Sequence, residues 1–529
     1  MRHLQVLGIL LCVVSGVSTA VAVETLHPND ALICQDDPVK LDPARYLRAL
    51  SLDLRGHPPT MEEIESLDGV DANDPLPDAL IESWLDEDSF IKQAVRRHRT
   101  FFWNNLRNVD FINRNKRLGV NGGIYWNNIR SRLLRTGSRD QVICYDEPAQ
   151  FDADGMPVTR QDESGYNREG WVEVSPYWAP DTVVRVCAFD AQERRYSANG
   201  ADCATAAGAN RTDCGCGPDL RWCAPTPVTN TLLDSMGRSL ERLIESVIAG
   251  DGGYRQLFES RDGFINGPMV HYYRHLSGST DIQSKPAPLM TELLPDVPFT
   301  DRTWHQVELP LAHAGALTHP AFLLRFQTNR ARASRFYQAF LCAPFVPPAG
   351  GLPAASEESA RNPDLQERAG CKYCHAQLEP AAAHWGRWTE VGVGFLDPNQ
   401  YPATHSQCLE CAIGGSRCTS FCRNNYLTQA LSEDERPYLG MLKAYAFRRE
   451  SHMHYVEKGP KLLVRKAIAE NQLPLCVARQ TAEWLMGRTT TEADDAWIRD
   501  LATAFVHSGL RYKALVKAVV TSAQYRRVQ

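Results

Sequence analysis

Apolar side chains recur at helical spacing along most of this chain and lose that spacing in one internal stretch. Asp42-Pro43 starts a helix, with proline at the first helical position. Leu47, Leu50 and Leu54 follow on one face before Gly56-His57-Pro58-Pro59 ends it. Thr60 with Glu63 reads as a capping box for a short helix. Leu80, Ile81, Trp84 and Leu85 mark another, and 90–106 a longer one whose Phe101, Phe102 and Trp103 are read as core. A stripe of Leu233, Met236, Leu240, Leu243, Ile244 and Val247 follows Asn230 and stops at Gly250. Helix is expected again over 320–341, before the turn-rich Pro344-Phe345-Val346-Pro347-Pro348 opens a loop or linker running to Asn362. Trp484 and Leu485 close one C-terminal helix, 497–505 forms another, and 515–520 lies in the last. No repeat of fixed period interrupts this order.

Between 141 and 227 the pattern changes to Gly, Pro and Asp with short alternating runs, Trp171-Val172-Glu173-Val174 and Val183-Val184-Arg185-Val186, which predict loops and a few short strands. The stretch holds Cys144, Cys187, Cys203, Cys214, Cys216 and Cys223. The fold class expected is therefore mainly α. It comprises a helical N-terminal domain (23–140), a cysteine-rich irregular or β insert (141–227), a helical middle region (228–349), and a helical C-terminal region (350–529).

Composition narrows the class. At about 150 residues per domain, 529 residues suggest three to four domains, and 43% apolar residues suffice for a real core. A net charge of −6 excludes the strongly basic footprint of a nucleic-acid binder. Residues 1–22 read as a cleaved signal peptide: Arg2 and His3, a mostly apolar 4–17, then the small-x-small Ala20-Val21-Ala22. The apolar run is shorter than a spanning helix needs, and no later stretch is long enough, so no transmembrane helix is expected in the mature chain. The expected location is periplasmic or extracellular. Export favours oxidation, so the six insert cysteines are read as three disulfides, against a rival metal site from Cys214, Cys216 and Cys223.

The strongest chemical signal is Cys371-Lys372-Tyr373-Cys374-His375. In a c-type cytochrome two thiols add to the haem vinyl groups and the adjacent imidazole binds iron. Composition alone gives roughly 0.01 such occurrences in this chain. The expectation is one covalent haem c on Cys371 and Cys374, with His375 as proximal iron ligand, which makes the helical C-terminal region (350–529) the one that contains a cytochrome c-like haem site. A redox-active CxxC would want a βαβ setting, which is absent here. Cys408, Cys411, Cys418 and Cys422 form a second group without the histidine, read as two disulfides, with zinc or an iron–sulfur cluster as the alternative. Cys34, Cys342 and Cys476 are then left over, and two of them can pair.

For the distal side, His384 lies nine residues past His375, about 13 Å along a continuous helix and half a turn round, too far for the same iron. Met441 beside Leu439, Leu442 and Tyr445 reads as core in a helical stripe. Ser451-His452-Met453-His454-Tyr455, read as a loop before Gly459-Pro460, supplies the candidates: Met453 first, then His452 or His454, against an open iron position.

Several segments resemble a known family. Arg45-Tyr-Leu-Arg-Ala-Leu-Ser-Leu-Asp-Leu-Arg-Gly-His-Pro-Pro-Thr60 looks like the opening signature of the planctomycete-type cytochrome-associated domains of unknown function. Ala314-Gly-Ala-Leu-Thr-His-Pro-Ala-Phe-Leu323 through Cys371-Lys-Tyr-Cys-His-Ala-Gln-Leu-Glu-Pro380 is similar to a second domain of that set. Cys476, Gly487-Arg488, 505–509 and 518–525 look like its C-terminal domain. After the haem motif the chain departs from the common "DPxGFxxExFD", reading Glu379-Pro-Ala-Ala-Ala-His-Trp-Gly386. The resemblance implies an exported c-haem protein, with relatives near polymer-degradation systems.

Three functions follow as expectations. The leading one is electron transfer to or from an unidentified redox partner protein. The second is a haem enzyme of peroxidase or oxidase type with an open iron position. The third is a scaffold that binds an extracellular polymer or surface component and keeps its haem for structure. A filled sixth ligand position favours transfer, and an empty one favours chemistry at iron. No catalytic residue is nominated.

Overall fold

The structure is a computed structural model and describes residues 41–67, 76–107, 112–279, 288–289, 292–346, 362, 364–415, 417–430, 432–445 and 449–526. The expected signal peptide and Cys34 lie outside these residues. Helices dominate: eighteen α-helices are present among the described residues, with three small sheets. None is long and apolar enough to cross a membrane.

The N-terminal helices form where their caps dictate. Asp42 accepts the Arg45 amide at 2.9 Å and Pro43 opens the helix Pro43–Arg55, which Gly56 ends at a φ of 77°. Thr60 and Glu63 form the reciprocal capping box of Met61–Glu65. Helix Asp88–Phe102 ends earlier than the apolar pattern suggests, because Trp103 takes a left-handed conformation (φ 47°) and turns the chain. The stripe over 233–247 is the inward face of the long helix Thr226–Ala249. The single helix expected over 320–341 is two, Pro320–Arg325 and Asn329–Phe340; Thr328 caps the second by accepting the Ala331 amide.

One apolar cluster contains Tyr46, Leu47 and Leu50 from the first helix, Met236 and Leu240 from the long helix, Phe336 and Phe340, and Ile498, Val516 and Val519 near the C-terminus. The two ends of the chain share it. Tyr46 Oη donates to the Val520 carbonyl at 2.5 Å, and the Leu41 amide donates to the Arg526 carbonyl at 2.9 Å.

The cysteine-rich stretch builds a five-stranded sheet around Trp171–Val174 and Val184–Cys187, paired antiparallel in the register Trp171 to Cys187. Two further strands, Arg117–Asn121 and Ile124–Trp126, precede the stretch and were not apparent from the apolar pattern. Its cysteines pair as Cys144–Cys187, Cys203–Cys214 and Cys216–Cys223, as the export argument expects. Buried charges add to the cross-links. Arg135 is ion-paired with Glu169 and with Asp190 (3.5 Å), and Arg130 with Asp190 at 3.2 Å, all four side chains being almost fully enclosed.

Candidate haem-attachment site

The motif opens the helix Lys372–Ala383. The Arg368 carbonyl accepts the amides of Cys371 (3.1 Å) and Lys372 (2.9 Å), and Gly370 takes a φ of 77° to make that turn. The Cys371 carbonyl then accepts the amides of Cys374 (3.2 Å) and His375 (3.0 Å). Spacings of three and four residues in a helical turn put both sulfurs and the imidazole on one face. That face is accessible: the two cysteines are half-buried, and Tyr373 between them is 64% exposed.

Cys371 and Cys374 are the free cysteines among the described residues. All the other described cysteines are in disulfides, including Cys408–Cys422, Cys411–Cys418 and Cys342–Cys476. The second cysteine group is thus cross-linked, not metal-binding, and two of the three leftover cysteines pair. Among the described residues, the one grouping of three metal-type ligands is Cys144, Glu169 and Cys187. Two of its members share a disulfide and the third holds Arg135, so it is no ion site.

His375 is anchored from the side away from the thiols. Its Nδ1 lies 2.6 Å from Oε1 of Glu379, one helical turn on, and because a carboxylate only accepts, Nδ1 is the donor in this contact and Nε2 is the ring nitrogen left for another partner. The same carboxylate oxygen accepts from Arg330 Nε at 2.6 Å, across from the helix Asn329–Phe340. Glu379 is buried, its side chain 5% exposed, whereas Arg330 is half-exposed. On another side, the Cys374 thiol points at the Val346 carbonyl (3.6 Å), on a segment pinned by the Cys342–Cys476 disulfide. Two thiols outside any disulfide, beside an imidazole whose Nδ1 is taken up by Glu379, are the donor set that covalent haem requires. The residues fit the group.

The far end of the helix runs into the core. Ala382 and Trp385 are fully enclosed, and Trp385 Nε1 donates to the Leu317 carbonyl at 2.9 Å. His384 gives its Nδ1 to the Gly459 carbonyl at 2.8 Å and stacks on Tyr455 with centroids 4.7 Å apart. Burial, against the raising effect of that carbonyl, pushes its pKa down to about 4, and Lys466, His454 and His452 push the same way.

The segment 451–455, expected as a loop, is helical. It belongs to the first part of the span Glu450–Ala469, whose helical backbone is broken at Gly459 (φ 69°, ψ −173°) and resumes from Pro460. Glycine alone tolerates that φ cheaply, and Pro460 can follow it because a first-turn amide needs no helical partner. This helix packs along the motif helix. Arg449 Nη2 reaches Glu367 Oε1 at 2.6 Å, four residues before Cys371, and a side chain on Gly386 would meet Val456 at 2.8 Å. The three distal candidates therefore stand on the neighbouring helix: His452 buried, Met453 half-buried, His454 exposed. Met453 also packs on the small cluster around Cys408, Cys422, Tyr426 and Leu442. Met441 packs there too, but in a bridge to Thr404, not in a helical stripe.

Two features escaped the sequence reading. Glu379 was visible as a helical i,i+4 partner of His375, but Arg330 lies 49 residues upstream and only the fold brings it in. A cavity of about 410 Å³ lined by Tyr177, Arg221, His271, His275 and Phe299 lies where the insert meets the helical body. His271 stacks on Tyr177 there (3.6 Å), and burial lowers its pKa to about 3. No family model, no curated protein and no solved structure matches this chain.

Proposed function

We propose that this chain is an exported c-type haem protein that transfers electrons to or from a partner protein. One haem is bound by thioethers at Cys371 and Cys374, with His375 as proximal ligand. The observation that carries this reading is selective: among the described residues, which hold six disulfides, the two thiols left free belong to the one Cys-x-x-Cys-His. That many disulfides support an oxidising compartment, where such haem attachment takes place in bacteria. The family resemblance, centred on the same motif, points the same way.

When bound, the haem supplies a one-electron couple. The chain's own residues do the rest. The helical turn holds thiols and imidazole on one face, Glu379 orients the imidazole through Nδ1, and the half-buried Cys371 and Cys374 would leave a haem bound there accessible to a partner. Production with haem-attachment machinery, then mass spectrometry of the peptide around Cys371, tests the reading. One haem on that peptide is expected; an unmodified peptide refutes it.

The second reading, a haem enzyme with an open iron position, is favoured by the same His375–Glu379 pair. A carboxylate on the proximal imidazole strengthens it as a donor and stabilises oxidised iron. Exogenous ligand binding to the ferric protein separates the two, because a carrier with a filled sixth position resists it.

A further inference from the structure

We infer that Glu379 and Arg330 are positioning residues that act on His375 in opposite directions, Glu379 lowering and Arg330 raising the reduction potential of a haem held there. The inference rests on the haem reading above and deepens it, naming the residues that set the potential of that site.

The argument is electrostatic. A carboxylate 2.6 Å from Nδ1 pulls on that proton and leaves more electron density on the ring. Nε2 then becomes a stronger donor, and a stronger donor favours the oxidised metal. Arg330 sits 2.6 Å from the same oxygen and withdraws some of that charge. The two are not equally placed. Glu379 is enclosed, so its effect on His375 acts through protein, whereas the half-exposed Arg330 is screened by water and salt.

A plainer reading makes these contacts a helical i,i+4 pair and a surface ion pair that only steady the fold. The two readings separate by sign. If the contacts only steady the fold, removing either partner lowers thermal stability and leaves the potential where it was. If they tune His375, the two removals move the potential in opposite directions.

The test uses the full chain with haem attached, as wild type, Glu379→Gln and Arg330→Gln. Haem content and thermal unfolding are measured first, then potentiometric titration. We expect Glu379→Gln to raise the potential and Arg330→Gln to lower it. Unchanged potentials, or shifts of the same sign, in variants with wild-type haem content overturn the inference while leaving the haem reading intact. Wild type without covalent haem overturns both. If Glu379→Gln fails to fold or load, the Arg330→Gln arm decides: a lowered potential supports the inference, and an unchanged or raised one ends it.

Discussion

Tyr525 Oη donates to Asp53 Oδ2 at 2.6 Å, joining residues 472 positions apart in sequence. Burial raises the pKa of Asp53, and the tyrosine bond opposes that rise. The pair closes the seam between the first helix and the last, beside the Tyr46–Val520 bond. Tyr525→Phe removes the donor and leaves a carboxylate facing an apolar ring. A loss of about 1–3 kcal/mol in unfolding free energy is expected. Denaturant unfolding of the variant checks it, and an unchanged midpoint contradicts it.

The insert depends on its buried charges as well as its disulfides. Glu169 and Asp190 hold Arg135, and Asp190 also holds Arg130. Removing one member leaves an uncompensated buried charge, at a cost of about 3–5 kcal/mol. Glu169→Ala is therefore expected to destabilise far more than Glu147→Ala, whose partner Arg160 is exposed. Protease sensitivity of the 141–227 region in the two variants gives the comparison. Equal resistance is the adverse result.

Stability should fall as pH drops below neutrality. Burial holds His98, His275 and His384 down to about 4, and His271, His313 and His319 down to about 3, from an ordinary 6.5. All six are neutral in the fold and take up protons more readily once unfolded. Below pH 6.5 the unfolded chain thus binds more protons than the native one, and stability declines down to the folded values. Glu63, lowered to about 2 against its burial by Arg55, Thr60 and Trp84, adds loss between about 4.5 and 2. Thermal unfolding from pH 8 to 5 should show a plateau above 7 and a steady fall below 6.5. A flat profile would mean these histidines are not neutral in the fold.

The distal side is tested by single substitutions on the helix Glu450–Ala469. Met453 remains the first candidate, so Met453→Ala should change the ferric absorption and magnetic signature, and exposed His454→Ala should not. His452→Ala tests the buried alternative. If all three keep the wild-type signature, none of these residues binds the iron.

Much of the helical framework was legible in sequence because caps and apolar spacing are local. Asp42-Pro43, Gly56 and the Thr60–Glu63 box appear in the fold as read. Errors came where a local signal had two outcomes. Ser451 to Tyr455, just before Gly459-Pro460, fit a loop or a helix, and they are helical where Val456 packs against Gly386. The helix expected over 320–341 is broken at Phe326-Gln327-Thr328, where Thr328 caps a second helix. The pairing of Cys144 with Cys187, 43 residues on, depends on strand register that spacing does not encode. At the Cys371-to-His375 motif, five consecutive residues carry the proposed ligand set, and the structure adds that both thiols are outside the disulfides. Arg330, which completes its surroundings, was not, since a contact across two helices leaves no trace in local sequence.

The measurement that bears most directly on the central claim is a pyridine haemochrome assay on protein made with haem-attachment machinery, run beside a Cys371→Ala, Cys374→Ala double variant. The account predicts one covalently bound haem per chain with a c-type spectrum in the wild type, and none in the double variant. Wild-type protein that folds with all its disulfides yet carries no covalent haem, its Cys371 and Cys374 free or joined to each other, would contradict it.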